Sequence, residues 1–245
     1  MSKLVFEEIV QLPLKAGQFF SDKYGKKQIV IHHTVSSGKA TSAQNTWNTT
    51  PERIATAFII DGEGKINQCF SSAEWAHHLG CKTKNNTQLN RESIGIEICS
   101  WGGIKKKNGK FFNVYGYEVK AEEVVDLGKP WRGYQYYHKY NEKQLNSLKV
   151  LLEYLAFTYK IPITYNEDMW DISKKALNHN PGIYTHVSYR ADKSDCFPQP
   201  ELIETLKSLT LESYTTIKPS EPKVEKTPAK PVINKQTKPK VNGRK

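Results

Sequence analysis

The chain has 245 residues, a formal charge of +11, 38% hydrophobic residues, five Trp and thirteen Tyr, enough for one sizeable core or for one domain with an appendage. No apolar stretch approaches the ~20 residues of a membrane span, and "MSKLVFEEIVQLPLK" has acids where a secretory leader carries its apolar run, so a soluble product made in the cytoplasm is expected. The charge is uneven: residues 217–245 hold nine Lys/Arg against two Glu, which argues against a specific nucleic-acid-binding face on the rest of the chain.

In chain order, residues 1–26 read as an N-terminal extension. "QIVIHH" (28–33) reads as a buried strand that ends in two histidines, whose side chains must point to opposite faces. "TSAQNTWNTTPERIATA" (41–57) has the length of a helix, divided by Pro51. "TAFIID-GEG-KINQCF" predicts a hairpin turning at Gly62-Glu63-Gly64. "SIGIEICS" (93–100), apolar on both faces, predicts a central strand.

Residues 101–138 show no stable period and many aromatics, and read as a long excursion from the sheet, of the length that signals a functional loop. "NEKQLNSLKVLLEYLAFTYK" is the clearest helix, with Asn141 as N-cap and Leu145, Leu148, Leu152 and Leu155 on one face. "PQPELIETLKSL" predicts a closing helix with Pro200 in its first turn, and the folded part is expected to end near Leu209. From Lys218 onward Lys and Pro alternate with almost nothing to bury, the composition of a disordered tail. The organisation is α/β: one domain over 27–210, with 101–138 as an aromatic-rich insertion, and a Lys/Pro-rich tail over 211–245.

Cys69, Cys81, Cys99 and Cys196 are too widely spaced for a CxxC zinc knuckle and read as free thiols. Of seven histidines, four form two HH pairs, His32-His33 and His77-His78, each at the edge of an apolar segment. A catalytic zinc takes three ligands from His, Cys or carboxylate and keeps one position open. The chain offers His32 at a strand end and, far downstream, His186 followed nine residues later by Asp195 and then Cys196.

In sequence order, "VIHHT", "TAFIIDGEGKI", "EWAHHLG", "SIGIEI" and "THVSYRADKSDCFPQPEL" resemble the zinc-dependent N-acetylmuramoyl-L-alanine amidases of the type-2 amidase and peptidoglycan-recognition superfamily, over roughly residues 27–209. The resemblance implies a central mixed sheet flanked by helices and one Zn2+ per chain. It makes His32 the first ligand, His186 the second, and an Asp or Cys eight to ten residues later the third. Both types stand there: Asp195 is favoured because "KSDCFP" then keeps Lys193 two residues before the ligand, with Cys196 as the alternative. His33 falls to a structural or supporting role.

Family members activate the attacking water with a Tyr before "FII" or a Glu in "IGIE". Here those positions hold Thr56, which cannot act as a base, and Glu97, whose isoleucine neighbours predict a half-buried setting that raises its pKa. The resemblance gives His77 an active-site role beside the substrate carbonyl and Lys193 one at the oxyanion. Trp75, Trp101 and Trp131 are candidate substrate contacts, with simple packing as the competing reading for each; His78 reads as packing.

The implied reaction is hydrolysis of the amide between the lactyl group of N-acetylmuramic acid and the L-alanine of the peptidoglycan stem. The implied setting is a monomer made in a host cytoplasm and brought to the cell wall by a holin-type release or in a virion. The basic tail would attract anionic wall polymers or phosphates. The rivals are a recognition protein without activity and a bacterial wall-recycling amidase.

Overall fold

The structure, a computed structural model, describes residues 9–212. The expected Lys/Pro tail beyond Glu212 lies outside the described residues. Along the chain the elements are β1 (Ile9–Gln11), β2 (Gln28–His33), α1 (Ala40–Trp47), β3 (Phe58–Ile60), β4 (Ile66–Gln68), α2 (Asn86–Glu92) and β5 (Ser93–Ile98). Then come β6 (Gly103–Lys107), β7 (Lys110–Phe112), β8 (Glu118–Val119), β9 (Val124–Trp131) and β10 (Tyr134–His138). The chain closes with α3 (Glu142–Tyr159), α4 (Lys174–Leu177), β11 (Gly182–Thr185) and α5 (Pro200–Lys207).

Six strands form the main sheet in the order β1-β4-β3-β5-β2-β11. The three neighbours β3, β5 and β2, with β11 beyond, run parallel, while β4 returns antiparallel to β3. Every residue of β2 is buried, as is all of β5 except half-buried Glu97, the pattern of strands covered on both faces. The β3–β4 turn is tied by Asp61 Oδ1, which accepts from the amides of Glu63 and Lys65. Gly64 in that turn has φ +81°, and a Cβ there would meet the Lys143 carbonyl oxygen at 2.8 Å.

Helix α3 opens on a capping box in which Asn141 and Gln144 satisfy each other's amides. Its Leu145, Leu148, Leu151, Leu152 and Leu155 are buried in one cluster with Ile29, Ile31, Phe58, Ile60, Ile96 and Ile98 of the sheet and Leu202 and Leu206 of α5. The opposite side of the sheet has a smaller core in which Val30 and Tyr184 meet Leu79, Leu89 and Ala176. α1 ends four residues before Pro51, and α5 carries Pro200 at its start.

Two expectations are corrected. The excursion over 101–138 is a second, five-stranded antiparallel sheet of order β8-β7-β6-β10-β9, whose short strands mix charged, apolar and aromatic residues in no regular order and so escape a hydrophobic period. Of the expected extension over 1–26, the described residues 9–26 do not stand apart: Ile9–Gln11 pairs in parallel with β4, and Phe20 bridges to Trp75. A third, smaller omission is α2, which the sequence did not announce.

Candidate metal centre

Parallel strands present their carboxyl ends along one edge, where open α/β sheets place ligands. His32 and Glu97 are the fifth residues of β2 and β5 and are direct register partners, with Ile59 of β3 on the other side of Glu97. Paired residues of neighbouring strands share a face, so the imidazole and the carboxylate stand side by side. β11 delivers His186 to the same edge in a single turn, His186–Ser188, whose capping box joins Thr185 and Ser188. Thr185 Oγ1 also donates to the Met169 carbonyl. The amide of Val187 then donates to the carbonyl of Asp195, folding the following loop back so that Asp195 faces His186.

Asp195 Oδ2 lies 2.9 Å from His186 Nδ1 and 3.3 Å from His32 Nδ1, and one ligand atom from each of the three residues falls within 4.8 Å of the others. His186 Nε2 is 2.9 Å from the Leu79 carbonyl oxygen. A carbonyl can only accept, so the proton of a neutral His186 sits on Nε2 and the bare Nδ1 confronts a carboxylate oxygen. That contact needs positive charge between its partners. Two imidazole nitrogens and one carboxylate are the donor set of a three-ligand zinc site with an open position, so the residues fit a metal.

Burial, reinforced by the neighbouring His186, lowers His32 to about 4 against the pull of Asp195. Burial works to raise Asp195, but His186 and His32 overcome it and hold its carboxyl well below the ordinary value. Glu97 moves the opposite way: burial first and the Asp195 charge second push it well above the ordinary carboxylate value, partly offset by Lys193. Its Oε2 is buried without a hydrogen-bond partner. Two neighbouring carboxylates are thus shifted in opposite directions, Asp195 toward the ionised form and Glu97 toward the protonated one.

An open cleft of about 430 Å³ lies against this edge, lined by Ile54, His77, His78, His186, Arg190 and Lys193 among others. His77 is half-buried, packed edge-on against Trp75 and Phe20, and burial followed by the Arg53 charge lowers its pKa. The structure therefore brings together His32, His186, Asp195, Glu97, Lys193 and His77.

Other candidates are placed elsewhere. Cys196 is wholly buried with its thiol paired to the Tyr140 hydroxyl, outside the converging set. His33 faces the opposite side of the sheet, its Nδ1 2.7 Å from the same hydroxyl. Trp75 is a packing residue, stacked on Phe20 at 4.0 Å with its indole N–H donating to Asp22. Trp131 packs against the core and Tyr137. Trp101 packs against the exposed Tyr115 and Tyr117, and none of the three tryptophans lines the cleft. Thr56 is buried and donates to the Phe58 carbonyl. His78, read from the sequence as packing, stands in the centre, 3.0 Å from His32 Nε2.

The fold and the strand-end cleft are those of a hydrolase. Residues 23–200 match the family model for N-acetylmuramoyl-L-alanine amidase, and the chain belongs to that family. No curated protein matches the chain. Among solved structures it is similar to PlyL at 17% identity, covering 82% of this chain and 98% of that one with a TM-score of 0.49. It is also similar to the N-acetylmuramoyl-L-alanine amidase LysC from Clostridium intestinale, at 16% identity over 81% and 97% with a TM-score of 0.45. A selenomethionine derivative of AmpD matches at 15% identity over 86% and 100%, with a TM-score of 0.46.

Proposed function

We propose that the chain is a zinc-dependent amidase that cuts the bond between the lactyl group of N-acetylmuramic acid and L-alanine of the peptidoglycan stem, and that it serves bacteriophage lysis of the cell wall. The observation that carries the reading is the convergence of His32, His186 and Asp195 beside an unpaired, proton-accepting Glu97 in a chain of this family. His32, His186 and Asp195 would hold a zinc ion, which when bound would supply Lewis acidity at the scissile carbonyl and lower the pKa of the attacking water.

Glu97 takes the proton of that water as the C–O bond forms and returns it to the stem's alanine nitrogen as the C–N bond breaks. Its raised pKa suits both transfers. Lys193 places an ammonium in the cleft, where it offsets the negative charge that develops on the carbonyl oxygen. His77, at the same wall, donates to the carbonyl group of the bound substrate. The products are a lactyl carboxylate and a free alanine amine. Release of the stem from the glycan removes cross-links from the wall, and the chain's +11 charge favours approach to anionic wall polymers.

Purified sacculi incubated with zinc-loaded protein, with and without a chelator, test the reading. The expected result is chelator-sensitive appearance of N-terminal alanine without new reducing ends. Reducing ends would indicate a glycosidase. Binding to sacculi without either product would make the chain a recognition protein.

A further inference from the structure

His78 is joined to the metal centre by a chain of hydrogen bonds whose direction is fixed from its far end. The Leu89 carbonyl can only accept, so the Ser93 hydroxyl donates to it, at 2.7 Å. With its single proton committed, Ser93 Oγ must accept from the Nε2–H of His78, at 2.8 Å. A neutral His78 then has a bare Nδ1, which accepts from the Nε2–H of His32, at 3.0 Å. His32 is left with a bare Nδ1 on the side of Asp195. Each step follows from the count of protons on the groups involved.

We propose that His78 is a positioning residue that fixes His32 in the tautomer protonated on Nε2, with its Nδ1 lone pair turned to the metal centre. The inference rests on the reading of His32 as a metal ligand.

Three features of the surroundings serve this arrangement. Gly95 of β5 lies beneath the ring: a Cβ there would stand 3.1 Å from His78 Nδ1 and 2.7 Å from Thr56 Cγ2, so a side chain would drive the ring off the strand. Asn90, wholly buried, accepts through Oδ1 from the amides of both His78 and Leu79, at 2.8 and 3.1 Å. Its Nδ2 is anchored on the Asn86 carbonyl. The same two-residue segment orients the other histidine, because the Leu79 carbonyl takes the Nε2–H of His186. One pinned segment thus sets both imidazoles, His32 through a side-chain relay and His186 through the backbone. Outer partners of this kind orient ligand histidines, and their loss typically costs 10–100-fold in metal affinity.

The test reads the tautomer of His32 by ¹⁵N–¹H correlation of labelled histidines in the metal-free protein, and zinc affinity by chelator competition. Wild type is expected to show His32 protonated on Nε2 alone. His78→Phe, which offers no acceptor, should mix the His32 tautomers and raise the zinc dissociation constant about 10–100-fold. His78→Asn, whose amide oxygen reaches near the place of Nδ1, should restore most of the affinity, and Ser93→Ala should give an intermediate loss. A folded His78→Phe with wild-type tautomer and affinity would overturn the proposal. If that variant fails to fold, Ser93→Ala decides: unchanged tautomers at both rings and unchanged affinity overturn it equally. Wild-type protein that binds no zinc overturns instead the metal reading of His32, a distinguishable failure because the tautomer is read without metal.

Discussion

The guanidinium of Arg132 donates to the carbonyl oxygen of Ala191, so the tip of the second sheet grips the loop that carries Lys193 and Asp195. Arg132 also pairs with Asp171, and it sits in the β9–β10 turn with φ +48°. A sheet that contributes none of the converging residues His32, His186 and Asp195 is thereby mechanically joined to the site.

Arg132→Ala should therefore lower turnover on sacculi by about 10- to 100-fold, the scale expected when a reacting group is displaced by an ångström. Zinc affinity should change little, because His186 and Asp195 retain their own backbone tie through Val187. Unchanged turnover in the variant would show that the loop holds its shape without the second sheet.

Glu97→Gln should uncouple activity from stability. Replacing a positioned base typically costs 10²–10⁴-fold in rate. Because the folded state raises the Glu97 pKa, the folded protein favours the protonated form, and that contribution is lost as pH rises through the folded value. Near neutral pH the metal-free protein bears the cost of a buried, unpartnered carboxylate oxygen, which the amide variant does not. Thermal unfolding of metal-free protein should thus show the variant at least as stable as wild type at pH 7 to 8, with the difference vanishing below the ordinary glutamate value of 4.5. A less stable variant across the whole range would contradict the assignment of an unpaired carboxylate.

How much of this was legible beforehand depends on whether the information was local. The strands β2 and β5, the β3–β4 hairpin and α3 announce themselves through apolar runs, a glycine turn and a capping residue within a few positions of each other. His32, His186 and Asp195 were reached through the order of five motifs. The second sheet was missed because Lys105, Lys106 and Lys107 and the scattered aromatics hide its period, yet two turn signals were present. Asn108-Gly109 and Arg132-Gly133 join their strands with positive φ at both positions, +51° and +77° in the first, +48° and +90° in the second, the geometry of the two-residue hairpin. β1 pairs with a strand more than fifty residues away and left no local mark. The part played by His78 was equally hidden, since its partners His32 and Ser93 are neighbours only in the folded chain.

Lys26 offers a test of the framework behind the histidines. It is 5% exposed, and its ammonium donates to the carbonyls of Glu74, Arg91 and Ser93, tying the segment before His77, the end of α2 and the start of β5 to one point. Lys26→Met keeps the aliphatic stem and strands these acceptors. Each buried group left unpaired costs about 1–3 kcal/mol, so a loss of at least ~2 kcal/mol is expected in denaturant unfolding. Wild-type stability would mean that water replaces the ammonium freely.

The last expectation concerns acid. Burial lowers His32 and His33 to about 4 and His78 well below 6.5, and lowers His138 as well. In the unfolded chain these rings titrate near 6.5. Between the two values the unfolded state binds more protons than the folded state, so stability rises with pH there. The contribution is complete above about 6.5 and is lost progressively as pH falls toward 4. Metal-free protein should accordingly show an unfolding midpoint that is flat from pH 8 to 7 and declines steeply below 6.5. His33→Asn, which keeps a polar atom near the Tyr140 hydroxyl while removing one of the titrating rings, should make that decline shallower. Its stability relative to wild type should therefore improve as the medium is acidified, and a parallel decline in the two proteins would remove His33 from the set responsible.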